Sequence, residues 1–158
     1  MLDFKLFLIN ESLNNDLIEL DHYLNDLLEK YGYDDLFFWE QFFDKCSLFL
    51  KKIGFDNFYG CGRQRCVFSS KDRNVVIKIP NNYIGILSNY NEYENRNNKK
   101  HANCRLLVLP KTGIAILLME KIEEVEFKEK PNWASNYDCS QVGLNKKGEF
   151  KAYDYSRF

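Results

Sequence analysis

A lysine stands near the end of an otherwise apolar, β-branched run, Val75-Val76-Ile77-Lys78-Ile79. An ammonium on such a strand is costly to bury unless it finds a partner, so Lys78 is the first residue whose type and place suggest chemistry. Its plainer reading is an edge-strand lysine facing water. Eleven residues before it, Val67 closes the segment Gly60-Cys61-Gly62-Arg63-Gln64-Arg65-Cys66-Val67. Glycines at the start of a strand let a backbone approach phosphate groups and offer them its N–H groups, although two glycines there also make an ordinary turn. Other reactive types are sparse. His22 and His101 are too few and too far apart for a histidine metal site, and Cys139, beside Asp138, has no histidine near it in sequence to activate a thiol. The run Lys99-Lys100-His101, with Arg96 and Arg105, reads as a solvated face. A minor reading makes it a nucleic-acid patch, whose affinity would fall steeply with salt.

The elements that must position these residues come from a chain of 158 residues with 22 Lys and Arg against 23 Asp and Glu, a net charge of −1. That balance argues against a dedicated nucleic-acid binder. With 45% hydrophobic and 16% aromatic residues the chain has ample material for one core, and disorder is excluded as its overall state. No apolar run is long enough to span a membrane, and the amino-terminal MLDFKLFLINES carries an acid and no small-residue cleavage site, so the expected compartment is the cytoplasm. The five cysteines, Cys46, Cys61, Cys66, Cys104 and Cys139, form an odd set with no CxxC pair; most are expected to be reduced and structural. The 17 asparagines fit an AT-rich genome as well as any function, so no chemistry is drawn from them.

From Asn10 to Gly32, apolar residues recur every three or four positions, which predicts a capped amphipathic helix. A second helix is predicted from Leu36 to Ile53. Phe37, Phe38 and Phe49 widen its apolar surface, so it should be contacted on more than one side. Cys66 to Phe68 and Val75 to Ile79 read as an antiparallel hairpin. Tyr83 to Lys100 reads as a partly exposed helix, Arg105 to Leu109 and Ile114 to Met119 as two strands around Pro110-Lys111-Thr112-Gly113, and Gln141 to Tyr153 as a final small hairpin. The fold class is therefore α+β: an amino-terminal helical pair on a five-stranded antiparallel sheet, with one further helix and a short carboxyl-terminal β-hairpin. A single domain over 1–158 is expected, divided into a helical segment 1–58, a sheet segment 59–122 and a hairpin segment 123–158.

The order glycine loop, strand, strand with Val-Ile-Lys, polar helix bearing Glu92 and Glu94, two strands, then Met119-Glu120-Lys121, resembles the small lobe of the protein-kinase and small-molecule-kinase superfamily. The resemblance covers Tyr59 to Ser156. It implies that Gly60, Gly62, Arg65 and Val67 lie over a nucleotide, that Lys78 pairs with its phosphates and with Glu92, and that Met119 and Glu120 lead into the hinge beside adenine. Asp154-Tyr155-Ser156 follows a hairpin as the family's Asp-Phe-Gly does, and Gln141 precedes Asp154 by the family's spacing of 13 residues. A short hairpin brings its ends together, so Gln141 and Asp154 are the implied Mg²⁺ ligands and ATP with Mg²⁺ the implied cofactors.

The departures are as specific as the matches. Arg65 replaces the third glycine of the phosphate loop; it could contact a phosphate or fill the site. Asn136 stands where the catalytic aspartate is expected, and an asparagine cannot act as base; Asp138 serves instead only if the loop is two residues shorter. Asn136 follows Glu120 by only 16 positions, where the family inserts two helices, and the sequence ends two residues past Ser156. Because an isolated hairpin is only marginally stable, the two amino-terminal helices are expected to pack behind it in place of the missing large lobe. The expected function is a pseudokinase-like binding or regulatory protein with a protein partner, of a size that would suit a phage-encoded inhibitor. The alternative is a minimal kinase using Mg-ATP with Asp138 as base.

Overall fold

Asp35 decides where the second helix begins. Its carboxylate accepts a hydrogen bond from the Phe37 N–H at 2.8 Å, meeting a donor that a first helical turn leaves without a partner. In the computed structural model, which describes residues 11–71, 73–137 and 141–154, helix α1 spans Glu11–Tyr31 and helix α2 spans Leu36–Lys52. Strands β1 (Asn57–Cys61), β2 (Arg65–Ser69) and β3 (Val75–Pro80) follow, then helix α3 (Tyr83–Glu94), β4 (Cys104–Val108) and β5 (Ala115–Glu120). These five strands form one antiparallel sheet in the order β1-β2-β3-β5-β4. A second sheet joins β6 (Glu123–Glu124) to the hairpin of β7 (Val142–Leu144) and β8 (Phe150–Ala152). The fold is α+β.

Strand alternation divides the apolar residues between two cores. Phe68, Ile77, Ile79, Ile116 and Leu118 turn to one face, where Leu24, Phe38, Phe42, Cys46 and Leu50 of the helical pair cover them. Val76, Leu117 and Met119 turn to the other, where they meet Val142 and Ala152 of the hairpin, with Ala102, Cys104 and Ala134. The helical pair thus covers the sheet and leaves the hairpin alone, a correction to the expectation that it replaces a large lobe. The hairpin is backed instead by Trp133 and Tyr137, lengthened by β6, and tied to the sheet side by Ala102 N–H to the Ala152 carbonyl at 2.8 Å and Ala152 N–H to the Lys100 carbonyl at 2.7 Å.

Two boundaries also differ from expectation. β1 begins at Asn57, inside the stretch read as helical. Helix α3 ends at Glu94, six residues before Lys100. There the Asn95 side chain bonds the Asn91 carbonyl at 2.8 Å and the Asn98 side chain accepts from the Lys100 N–H at 3.0 Å, the local bonding by which asparagine competes with a helix. Cys61 and Cys66 face each other across β1 and β2 with Cα atoms 4.0 Å apart and are disulfide-bonded, whereas Cys46 and Cys104 are free and buried as expected. Cys139 lies outside the described residues. Among the described residues, no helix is long and apolar enough to cross a membrane.

Candidate functional site

Lys78 lies on β3, the central strand, opposite Val67 on β2 and Leu117 on β5. It is buried at 5% exposure, so the reading of a lysine facing water from an edge does not hold. A buried ammonium needs acceptors. Its Nζ donates to Glu92 Oε2 at 3.0 Å and to the Tyr153 carbonyl. Glu92 reaches it from α3, whose start is set by the Asn82 side chain accepting from Gly85 N–H at 2.9 Å. Three residues back on the same helical face, Asn89 donates to the Lys78 and Ala115 carbonyls at 3.2 and 2.7 Å, fixing the helix against β3 and β5. Glu94 is exposed at the end of the helix.

Arg65 enters the same cluster. The alternation of β2 puts Cys66 and Phe68 in the helix-side core, so Arg65 and Val67 turn to the face that bears Lys78. The guanidinium, 8% exposed, bonds Glu92 Oε1 at 2.8 Å, Asp154 Oδ1, and Asn89 Oδ1 at 3.3 Å. Asp154 follows β8, and its second oxygen accepts from Gln141 Nε2 at 3.1 Å. Two cations and two carboxylates therefore form one network, neutral in sum, that ties β2, β3, α3 and the end of the hairpin together.

The network shapes the ionisation of its members. Burial pushes the Lys78 ammonium below its ordinary value despite the adjacent Glu92 carboxylate. Burial works to raise Glu92, but Lys78 and Arg65 overcome it and hold the carboxyl below its ordinary value. Arg65 is raised: burial opposes its charge, and Glu92 and Asp154 outweigh that. Burial pushes Asp154 up, and the nearby cations do not fully offset it.

This cluster forms one wall of a cleft of about 800 Å³. Gly62, Arg65, Val67, Lys78, Met119, Glu120, Gln141 and Asp154 all line it. Met119 is fully buried in its floor, and the Glu120 carboxylate is engaged with Asn103, accepting from its backbone N–H at 2.8 Å. Gly60 is at the bulge of β1, where its φ of +136° suits glycine. Asn136 is exposed on a 3₁₀ turn, Asn132–Asn136, and is not part of the cleft wall. Asp138, the alternative base, lies outside the described residues.

The loop between β1 and β2 is docked on the start of α3. The Gly62, Arg63 and Gln64 carbonyls accept from Asn81 Nδ2 at 2.9 Å, Asn82 Nδ2 at 2.7 Å and Asn81 N–H at 2.9 Å, and Ser88 Oγ donates to Gln64 Oε1 at 2.7 Å. The Gly62 N–H is bonded to the Arg65 carbonyl at 2.9 Å. These asparagine contacts are the structural detail of the site missed in the sequence, where asparagine abundance carried no message. In the basic run, His101 is buried between the Asn95 carbonyl and the Tyr137 hydroxyl, each at 2.8 Å, and Arg96 lies over the Tyr93 ring at 3.8 Å.

The residues present do not fit a divalent cation in this arrangement. Both Asp154 oxygens are engaged, one by a guanidinium, and Gln141 presents its amide nitrogen, a donor, to Asp154. A hard cation needs oxygen donors turned towards it. No family model and no curated protein matches the chain.

Proposed function

We propose that the chain is a kinase-like fold used as a binding or regulatory protein, with Arg65 standing as a resident cation on the carboxylate that the family gives to a metal. The observation that carries this reading is the Arg65 bridge from Glu92 at 2.8 Å to Asp154, with Gln141 at 3.1 Å on the remaining Asp154 oxygen. The order of elements and the Lys78–Glu92 pair support the kinase-like part, and asparagine at position 136 supports the loss of phosphoryl transfer. Tyr83, Ile84 and Leu87 are exposed on α3, a surface suited to a protein partner. If the cleft keeps a nucleotide, it keeps it without Mg²⁺.

The Lys78–Glu92 pair also favours a second reading, an active phosphotransferase with Asp138 as base, which requires Arg65 to leave Asp154. Thermal unfolding with ATP alone, Mg²⁺ alone and both separates the two. A ligand at 100 times its Kd adds about 2.7 kcal/mol of stability. The expected result is no Mg²⁺-dependent rise with ATP. A rise that disappears in Lys78→Ala and Asp154→Ala would overturn the resident-cation reading in favour of the second.

A further inference from the structure

Six residues of the β1–β2 hairpin form a closed ring, because Cys61 and Cys66 are disulfide-bonded across the strand pair. Arg65 lies inside that ring, next to Cys66, and its side chain turns to the opposite face, onto Glu92, Asp154 and Asn89. The two sulfur-bearing residues differ in access: Cys61 is exposed, while Cys66 is 1% exposed in the helix-side core. Cys46 and Cys104 are buried, and burial pushes the Cys46 thiol up to about 12, so these two are poor nucleophiles. The sheet does not depend on the bond, since β2 is paired with β3 along all five of its residues, Arg65 to Ser69.

We infer that Cys61–Cys66 is a reversible redox site, which holds the stretch from Gly62 to Gln64 closed against the cleft when oxidised and lets that stretch open when reduced. A dithiol reductant attacks the sulfur of Cys61, the exposed residue of the pair; the S–S bond breaks and Cys66 leaves as a thiolate that takes a proton. The second thiolate of the reductant then displaces Cys61, so the reductant ends as its own disulfide and the protein gains two thiols. In reverse, the Cys61 thiolate attacks glutathione disulfide and releases one glutathione, and the Cys66 thiolate displaces the other. The consequence for the cleft follows from Gly62, Arg63 and Gln64 lining it, and stands apart from the reading of Arg65 as its resident cation.

The test uses the full chain equilibrated in glutathione buffers from reducing to oxidising. Acid quenching, alkylation and peptide mass spectrometry give the disulfide fraction. The same samples are pulsed with an amine-acylating ester, read at Lys78, and with trypsin, read at Arg63. Acylation and cleavage should both rise about tenfold as the disulfide opens, the order expected when covalent closure of a short loop is lifted, and fall on reoxidation. Cys61→Ser, at an exposed position, should show the reduced-state values in every buffer. Three results overturn the inference: a disulfide that survives the most reducing buffer, one that opens with Lys78 acylation unchanged, and global loss of near-ultraviolet dichroism on reduction. A Mg²⁺-dependent stabilisation by ATP in the oxidised protein would instead remove the resident-cation reading and leave the thiol titration standing.

Discussion

Replacing Arg65 by methionine removes the guanidinium and keeps most of its apolar stem. Breaking a buried ion pair from one side costs about 3–5 kcal/mol when the remaining charge is left without compensation. Here the remaining charges are partly compensated. Glu92 keeps Lys78 at 3.0 Å, and Asp154 keeps Gln141 at 3.1 Å with 39% of its side chain exposed. The loss should therefore fall below that range, at about 2–3 kcal/mol, which for a chain of this size lowers Tm by roughly 5–10 °C. The variant also turns a neutral four-charge cluster into one with an excess negative charge and opens one Asp154 oxygen. Mg²⁺ alone should then stabilise Arg65→Met and leave the wild type unchanged, measured by thermal unfolding followed by circular dichroism at constant ionic strength. An unchanged Tm in the variant, or an equal Mg²⁺ effect on both proteins, would refute the assignment of Arg65 as the cation held on Asp154.

Asp21→Ala should cost about 2 kcal/mol, because that buried carboxylate accepts from the Lys111 N–H at 2.9 Å, the Thr112 N–H at 3.2 Å and the Thr112 hydroxyl at 3.0 Å; hydrogen exchange at 111 and 112 should speed up while β3 stays protected. Gly85→Ala would place a Cβ 2.0 Å from the Gln64 carbonyl oxygen, so about 1–3 kcal/mol should be lost as the loop moves off α3, and unchanged stability in urea would contradict that docking. The Glu92 carboxyl, held below its ordinary 4.5, should titrate below that value by carbon-detected nuclear magnetic resonance, and Asp154 above its ordinary 3.8. Since Glu92 is depressed on folding, the unfolded chain binds the proton first. Its contribution is complete above pH 4.5 and is lost as pH falls through the folded value; Asp154, raised on folding, acts in the opposite sense. A Glu92 titration above 4.5 would contradict the pairing with both cations.

The helices were legible because their signals are local. Apolar residues at three- and four-residue spacing, closed by Gly32 and Gly54, give α1 and α2 within a few residues of their ends. Lys78 was legible as a strand lysine, but its place on the central strand depends on β5 pairing beside β3, a partner almost 40 residues away. The pairing of Lys78 with Glu92 rather than Glu94 follows from the helical turn: Asn89 and Glu92 share one face, and Glu94 is rotated off it. The role of Arg65 was left open because its guanidinium depends on Asp154 meeting β2, a contact across 89 positions. The disulfide was hidden by its spacing, since five positions suggest no familiar motif until the tight hairpin sets Cys61 against Cys66.

The four-charge network has its own physical logic. A buried carboxylate with a single cation would have to balance its desolvation on one geometry. Glu92 instead divides its two oxygens between Lys78 and Arg65, and Arg65 divides its guanidinium among Glu92, Asp154 and Asn89. Each link joins different elements, so α3 cannot move from β3 without also releasing β2 and the hairpin end. The cost of such a buried set falls only when every member is satisfied at once, and no buried side-chain nitrogen or oxygen among the described residues lacks a partner. The same completeness works against an incoming phosphate, which would have to displace a carboxylate from Lys78 or Arg65 and leave it in a partly dry site. The cleft wall is thus suited to hold its elements in one relation, and a ligand or partner that acts on it must first compete with Arg65.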